Sequence, residues 1–210
     1  GASTNEGRAF VYYGSAAGMP ASPNVTLNGI DGGGEFGRSV ACAGDVNGDG
    51  YSDVIIGAYN YDDGANTNEG RAFVYHGSAA GLPSNPNSTL DDANQAGAQA
   101  GYAVASAGDV NSDGYSDVII GAYTYDDGAN TNEGRVFVYH GSASGLSASP
   151  VSTQDDCNQA NALFGISVAG AGDVNGDGYS DVIIGAYLYD DGANADEGRA
   201  FVYHGSLSGL

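Results

Sequence analysis

The sequence has no tryptophan, no lysine and a single methionine, and no apolar run approaches the roughly 20 residues that a membrane-spanning helix needs. Membrane insertion is therefore not expected. The chain does not open on a charged segment followed by an apolar stretch, so it reads as a mature soluble segment with any secretion signal lying outside it. Its two cysteines, Cys42 and Cys157, fall at non-equivalent points of an internal repeat, so no disulfide framework is visible and both are read as free thiols. The basic inventory is five arginines, Arg8, Arg38, Arg71, Arg135 and Arg199, against 26 acids, for a formal charge of -21. A surface this acidic repels phosphate backbones, which excludes nucleic acid as a partner.

Glycine is abundant at 36 of 210 residues, and there are 15 tyrosines. Glycine weakens helices and serves tight turns, so many short strands are expected. No window of a dozen residues keeps apolar side chains at i, i+3 and i+4 without crossing a Gly or an Asp-Gly turn, which excludes a helical solenoid.

Self-similarity dominates the chain. Gly-Asp-Val-Asn-x-Asp-Gly-Tyr-Ser-Asp-Val-Ile-Ile-Gly-Ala-Tyr begins at Gly44, Gly108 and Gly172, a period of 64 residues. A second block, Glu-Gly-Arg-(Ala/Val)-Phe-Val-Tyr, begins at Glu6, Glu69, Glu133 and Glu197, so the two blocks occur three and four times. Each unit predicts four strands: Ser-Val-Ala, Asp-Val-Ile-Ile-Gly-Ala, Arg-Ala-Phe-Val-Tyr-His and a weaker Ser-Thr-Leu stretch. The second is apolar at successive positions, as a strand buried on both faces would be. Four-stranded sheets stacked face to face around an axis give an all-β fold, a β-propeller of antiparallel blades.

The expected division is a partial blade over 1–35 (third and fourth strands), repeat 1 over 36–99, repeat 2 over 100–163, and repeat 3 over 164–210, incomplete at its outer strand. Propellers close with about four to eight blades. Three repeats therefore predict completion by missing sequence or by another chain. A homo-oligomer is expected, with a dimer closing a six-bladed ring as one solution.

The repeated Asp segment carries the chemistry. Asp45, Asn47, Asp49 and Asp53 place side-chain oxygens at positions 1, 3, 5 and 9, with Gly50 at 6 and the Tyr51 carbonyl at 7. Calcium takes six to eight hard oxygens in a flexible shell, and a glycine at the turn lets the loop fold back on the ion. The same set recurs as Asp109, Asn111, Asp113, Tyr115 and Asp117, and as Asp173, Asn175, Asp177, Tyr179 and Asp181. Calcium is therefore the expected cofactor, about one ion per repeat and three per chain. An EF-hand is excluded, since position 12 is Ile56, Ile120 or Ile184 rather than Glu. The competing reading is that Asp, Asn and Gly form plain turns.

On these residues the unit resembles the FG-GAP repeat of integrin α-subunit propellers and their bacterial relatives. Phe36-Gly37 and Phe164-Gly165 supply the Phe-Gly element; Gly57-Ala58, Gly121-Ala122 and Gly185-Ala186 supply the Gly-Ala element. The middle repeat departs with Ala100-Gly101, and Tyr59, Tyr123 and Tyr187 stand where the family often has Pro. The resemblance implies a propeller with calcium in the loops between first and second strands, acting mainly as a structural staple.

Weaker constellations are the acidic loop Tyr61–Glu69 with its copies, read as a solvated loop, and His76, His140 and His204, read as too dispersed to share a metal. Arg71, Arg135 and Arg199 are expected to pair with nearby acids. Near-identical repeats supply no asymmetric cluster of acid, base and nucleophile, so no enzyme is expected. The expected function is a calcium-binding scaffold for adhesion or protein interaction, secreted or on the cell surface, with an extracellular protein or a glycan as partner. The alternatives are a lectin-like propeller and an engineered or excised fragment that self-assembles without a separate ligand.

Overall fold

A computed structural model describes residues 5–30, 32–192 and 195–210. Its described residues contain strands and no helix: β1 (Arg8–Val11), β2 (Val25–Asn28), β3 (Ser39–Gly44), β4 (Asp53–Ala58), β5 (Arg71–Tyr75), β6 (Ser88–Leu90), β7 (Ala100–Gly108), β8 (Asp117–Ala122), β9 (Arg135–Tyr139), β10 (Ser152–Gln154), β11 (Ser167–Gly172), β12 (Asp181–Ala186) and β13 (Arg199–Tyr203).

These strands form four antiparallel sheets, each a meander in sequence order. Blade 1 is β3-β4-β5-β6, blade 2 is β7-β8-β9-β10 and blade 3 is β11-β12-β13, preceded by the half-blade β1-β2. The sheets are open, as in an incomplete propeller. Strand β1 corresponds to β5, β9 and β13, so the half-blade carries third and fourth strands and blade 3 carries the first three.

Alternation of side chains across each sheet sends successive apolar residues of the second strand to opposite neighbours. In blade 1, Ile55 and Val74 join the core shared with blade 2, whereas Ile56 and Phe73 join the core shared with the half-blade. The next junction repeats this arrangement: Ile119 and Val138 of blade 2 pack with Val182 and Ile184 of blade 3. Strand β8 is accordingly buried along its whole length, while β12, in the last of the described blades, exposes Ile183.

Candidate metal-binding loops

Each Asp loop lies between the first and second strands of its blade. A β-bulge at the end of the first strand, between Cys42 and Gly44, Ser106 and Gly108, and Gly170 and Gly172, re-aims the chain into the loop. The second strand then opens on the position-9 aspartate, Asp53, Asp117 or Asp181, which is fully buried in each case.

That aspartate holds two backbone segments. Asp53 Oδ2 accepts the Val46 N–H at 2.9 Å and Oδ1 accepts the Gly77 N–H at 2.7 Å. Asp117 receives Val110 and Gly141 in the same way, and Asp181 receives Val174 and Gly205. Burial pushes the Asp117 carboxyl up to about 6, against the lowering effect of those N–H donors and of His140. Burial likewise raises Asp53. At Asp181 burial acts in the same direction, but the Val174 and Gly205 N–H groups and His204 prevail and hold the carboxyl below its ordinary value.

Within the loop, Asp45 Oδ1 accepts the Asp49 N–H at 3.1 Å and Oδ2 accepts the Gly50 N–H at 2.8 Å. Asn47 Oδ1 also accepts the Asp49 N–H, and Asp49 Oδ1 accepts the Tyr51 N–H at 2.9 Å. The pattern is reproduced in the loop of Asp109, Asn111, Asp113 and Tyr115 and in that of Asp173, Asn175, Asp177 and Tyr179.

The predicted residues thus share one compact loop per blade, and the donor set of three carboxylates and one amide oxygen suits a hard cation. In this conformation the oxygens are turned onto backbone N–H groups. Among the described residues, no three Asp, Glu, His or Cys side chains stand close enough to form a ready-made metal cluster.

The histidines have a place that spacing alone did not reveal. His76 Nδ1 lies 3.4 Å from Asn47 Nδ2 and His140 Nδ1 lies 3.2 Å from Asn111 Nδ2, while His204 Nδ1 lies 3.2 Å from Asp181 Oδ1. Each blade therefore sets one imidazole beside its own Asp loop. The signal was available in the fixed offset of 29 residues from Asn to His.

The arginines serve the opposite end of the blades. Arg135 pairs with Asp127 at 3.2 Å and Asp155 at 2.6 Å and lies over the Tyr125 ring. Arg71 makes the same contacts with Asp63, Asp91 and Tyr61, and Arg199 pairs with Asp191 over Tyr189. In the adjoining acidic loop, Asp62 and Asp63 are exposed but Glu69 and Glu133 are buried. Also at this end, Arg38 sits over Tyr102, which packs against Tyr59 and Tyr123. Both cysteines are free thiols, Cys42 exposed and Cys157 buried.

The profile of the FG-GAP repeat matches residues 36–75, 100–139 and 164–203, more than half of the chain. The chain belongs to the FG-GAP repeat family. It is 34% identical over 155 residues to integrin alpha-6 of Gallus gallus, an alignment covering 72% of this chain and 13% of that protein. Against integrin alpha-4 of Xenopus laevis the identity is 36% over 157 residues, covering 74% and 14%. Against integrin alpha pat-2 of Caenorhabditis elegans it is 37% over 167 residues, covering 72% and 13%. The chain thus spans 13% to 14% of the length of these curated relatives.

The geometry explains the letters of the FG-GAP motif. A Cβ added to Gly57, of the Gly-Ala element, would stand 1.9 Å from the carbonyl oxygen of Gly101, the second residue of the Phe-Gly position in the next blade. Gly121 meets the Gly165 carbonyl in the same way, at 2.0 Å. The two glycines let consecutive blades approach to backbone contact, and Phe36 and Phe164 fill the adjoining core. Ala100, which replaces that phenylalanine in the middle repeat, is also buried.

Proposed function

We propose that this FG-GAP chain is a calcium-binding, non-catalytic propeller scaffold for adhesion or protein interaction, working outside the cell or at its surface. The observation that supports calcium most strongly is the threefold recurrence of one hydrogen-bonded loop whose carboxylates have no arginine partner among the described residues. Asp45, Asn47, Asp49 and Asp53, with the carbonyl of Tyr51, would hold the ion in blade 1, and their copies would hold it in blades 2 and 3. The ion would supply the positive charge that the loops lack and hold the carboxylates together as a staple, with no part in bond making. Calcium is favoured over magnesium because magnesium demands strict octahedral geometry and retained water.

Calorimetric titration with calcium after chelation tests this reading, alongside thermal unfolding with and without the ion. Three sites per chain are expected, each adding about 1.4 kcal/mol of stability at tenfold saturation. No heat and no change in melting temperature would leave the loops as ordinary turns.

A second reading, glycan binding, draws on the cluster of Arg38, Tyr59, Tyr102 and Tyr123 at the blade end opposite the Asp loops. Edge-to-face and tilted rings beside Asn60 and Gln99 offer both the aromatic surface and the hydrogen-bonding groups that sugars use. Binding to a glycan array that free sugar competes away would favour it over a protein partner.

A further inference from the structure

Position 3 of the Asp loop is the one side-chain ligand whose two ends differ. Asn47 and Asn111 can serve a cation only through Oδ1, so the direction of the amide decides whether the loop has its full set of oxygens. The hydrogen bonds assign that direction. Asn47 Oδ1 accepts the Asp49 N–H at 3.1 Å, while Nδ2 donates to Asp49 Oδ2 at 3.0 Å and lies 3.4 Å from His76 Nδ1. In blade 2 the same three distances, from Asn111 to Asp113 and His140, are 3.1, 2.9 and 3.2 Å. A reversed amide would set its NH2 against the Asp49 N–H and its oxygen against a carboxylate, both of them like-with-like contacts. With Nδ2 as the donor, His76 Nδ1 has to be the acceptor, which puts the imidazole proton on Nε2.

The ring is held in this position at a cost. Nε2 of His76 and of His140 is buried and has no hydrogen-bond partner among the described residues. A glycine of the following segment covers each ring: a Cβ on Gly145 would stand 2.9 Å from His76 Cε1, and one on Gly209 would stand 2.7 Å from His140 Nε2. A buried N–H without an acceptor is unfavourable on its own account, so the favourable polar contact of each ring is the one at Nδ1. In blade 3, His204 is exposed and its Nδ1 faces Asp181 Oδ1 at 3.2 Å instead.

We infer that His76 and His140 are positioning residues for cation binding in blades 1 and 2: each imidazole takes a hydrogen of the position-3 asparagine amide and so keeps the asparagine oxygen turned into the loop. This role rests on the calcium reading of the loops given above. Asp49 and Asp113 are themselves expected as ligands, so the imidazole is the partner of the amide for which no cation competes. Residues that orient a ligand from behind in this way typically change metal affinity by about 10- to 100-fold.

Two measurements on the full chain test the inference. Long-range proton–nitrogen correlation spectra in chelator, at about pH 8 where free imidazole is neutral, report which ring nitrogen carries the proton. His76 and His140 are expected with Nδ1 bare and Nε2 protonated, and a proton on Nδ1 of either would overturn the inference. Calorimetric titration with calcium then compares the wild type with two double variants. His76→Phe with His140→Phe keeps a ring against each glycine but offers no acceptor, whereas His76→Asn with His140→Asn places an acceptor oxygen where Nδ1 lies. In the phenylalanine variant two sites are expected to weaken about tenfold or more while the blade 3 site keeps its affinity. Its melting temperature in chelator is expected not to fall, because the unpartnered Nε2–H is gone. The asparagine variant is expected to bind more like the wild type than like the phenylalanine variant. Phenylalanine sites of wild-type affinity, asparagine sites as weak as the phenylalanine ones, or an affinity loss matched by a lower melting temperature in chelator would each overturn the inference. A wild type that takes up no calcium removes the calcium reading and this inference with it, whereas a wild type that binds while both variants match it removes only the role of the histidines.

Discussion

Asp117 Oδ1 accepts the N–H of Gly141, 24 residues further on, at 2.9 Å. Its other oxygen accepts the Val110 N–H at 2.8 Å, so one buried carboxylate ties the base of its loop to the exit of the third strand. The ninth loop position therefore supports the blade whether or not a cation is bound. Asp113, by contrast, is exposed and bonds only within its loop. In the presence of chelator, Asp117→Ala should cost about 3 kcal/mol, because two buried N–H groups lose their acceptor, while Asp113→Ala should cost about 1 kcal/mol or less. Denaturant unfolding of the two variants distinguishes them. Equal losses would mean that Asp117 matters no more than an ordinary loop residue.

Ser112 occupies the loop position that is Gly48 in blade 1 and Gly176 in blade 3, and its φ is 58°. A side chain in this left-handed region costs roughly 1 kcal/mol that glycine avoids. Ser112→Gly should therefore stabilise blade 2 by about that amount, offset in part by the greater freedom of glycine in the unfolded chain. A shift of the denaturant midpoint to higher concentration with unchanged slope is the expected outcome. A shift to lower concentration would mean that entropy outweighs strain here.

The blades were legible in the sequence because their signals are local and repeated. Val54-Ile55-Ile56 announced a strand buried on both faces, and the Asp/Asn/Gly spacing announced a loop between two strands. What could not be read lies between repeats. Ser116 looks like the ordinary start of a strand, and nothing in its own neighbourhood says that it grips Asp45, 71 residues away. Similarly, His76 reaches the Asn47 amide only because strand pairing returns the chain beside its own loop. The aim of the loop oxygens was equally hidden. Spacing specifies which residues share a turn, whereas competition with the N–H groups of Asp49, Gly50 and Tyr51 decides where each oxygen points.

Arg38 of blade 1 donates from its guanidinium to the Tyr102 hydroxyl of blade 2 at 2.6 Å and stands 4.3 Å from the centre of the same ring. This is a cation–π and hydrogen-bonded stitch across the junction between blades 1 and 2. Arg38→Ala should lower stability by about 1 kcal/mol and Arg38→Lys by less than that. If Tyr102→Phe removes as much as Arg38→Ala, the hydrogen bond dominates. If it removes little, the ring contact does. A double-mutant cycle read by denaturant unfolding separates the two.

Cys157 supplies a pH dependence whose sign can be worked out. Burial pushes its thiol up to about 12, aided by the nearby Glu133 carboxylate and opposed by Arg199. The unfolded chain loses this proton near the ordinary thiol value of 9.0, whereas the folded chain keeps it until far higher pH. Between those values the folded state binds more protons than the unfolded one, so stability falls as pH rises. Buried tyrosines, Tyr139 and Tyr203 among them, are raised in the same direction and add to the fall. Cys157→Ala should therefore make the melting temperature fall less steeply above pH 9. Alanine is tolerated because Ala93 already fills the equivalent place in repeat 1, buried in the neighbouring core. The same burial keeps Cys157 unreactive, so alkylation of the folded chain at mildly alkaline pH should leave Cys157 untouched until denaturant is added. Rapid labelling of Cys157 in the folded chain, or a pH profile unchanged by the alanine, would show that this thiol is not held in the interior.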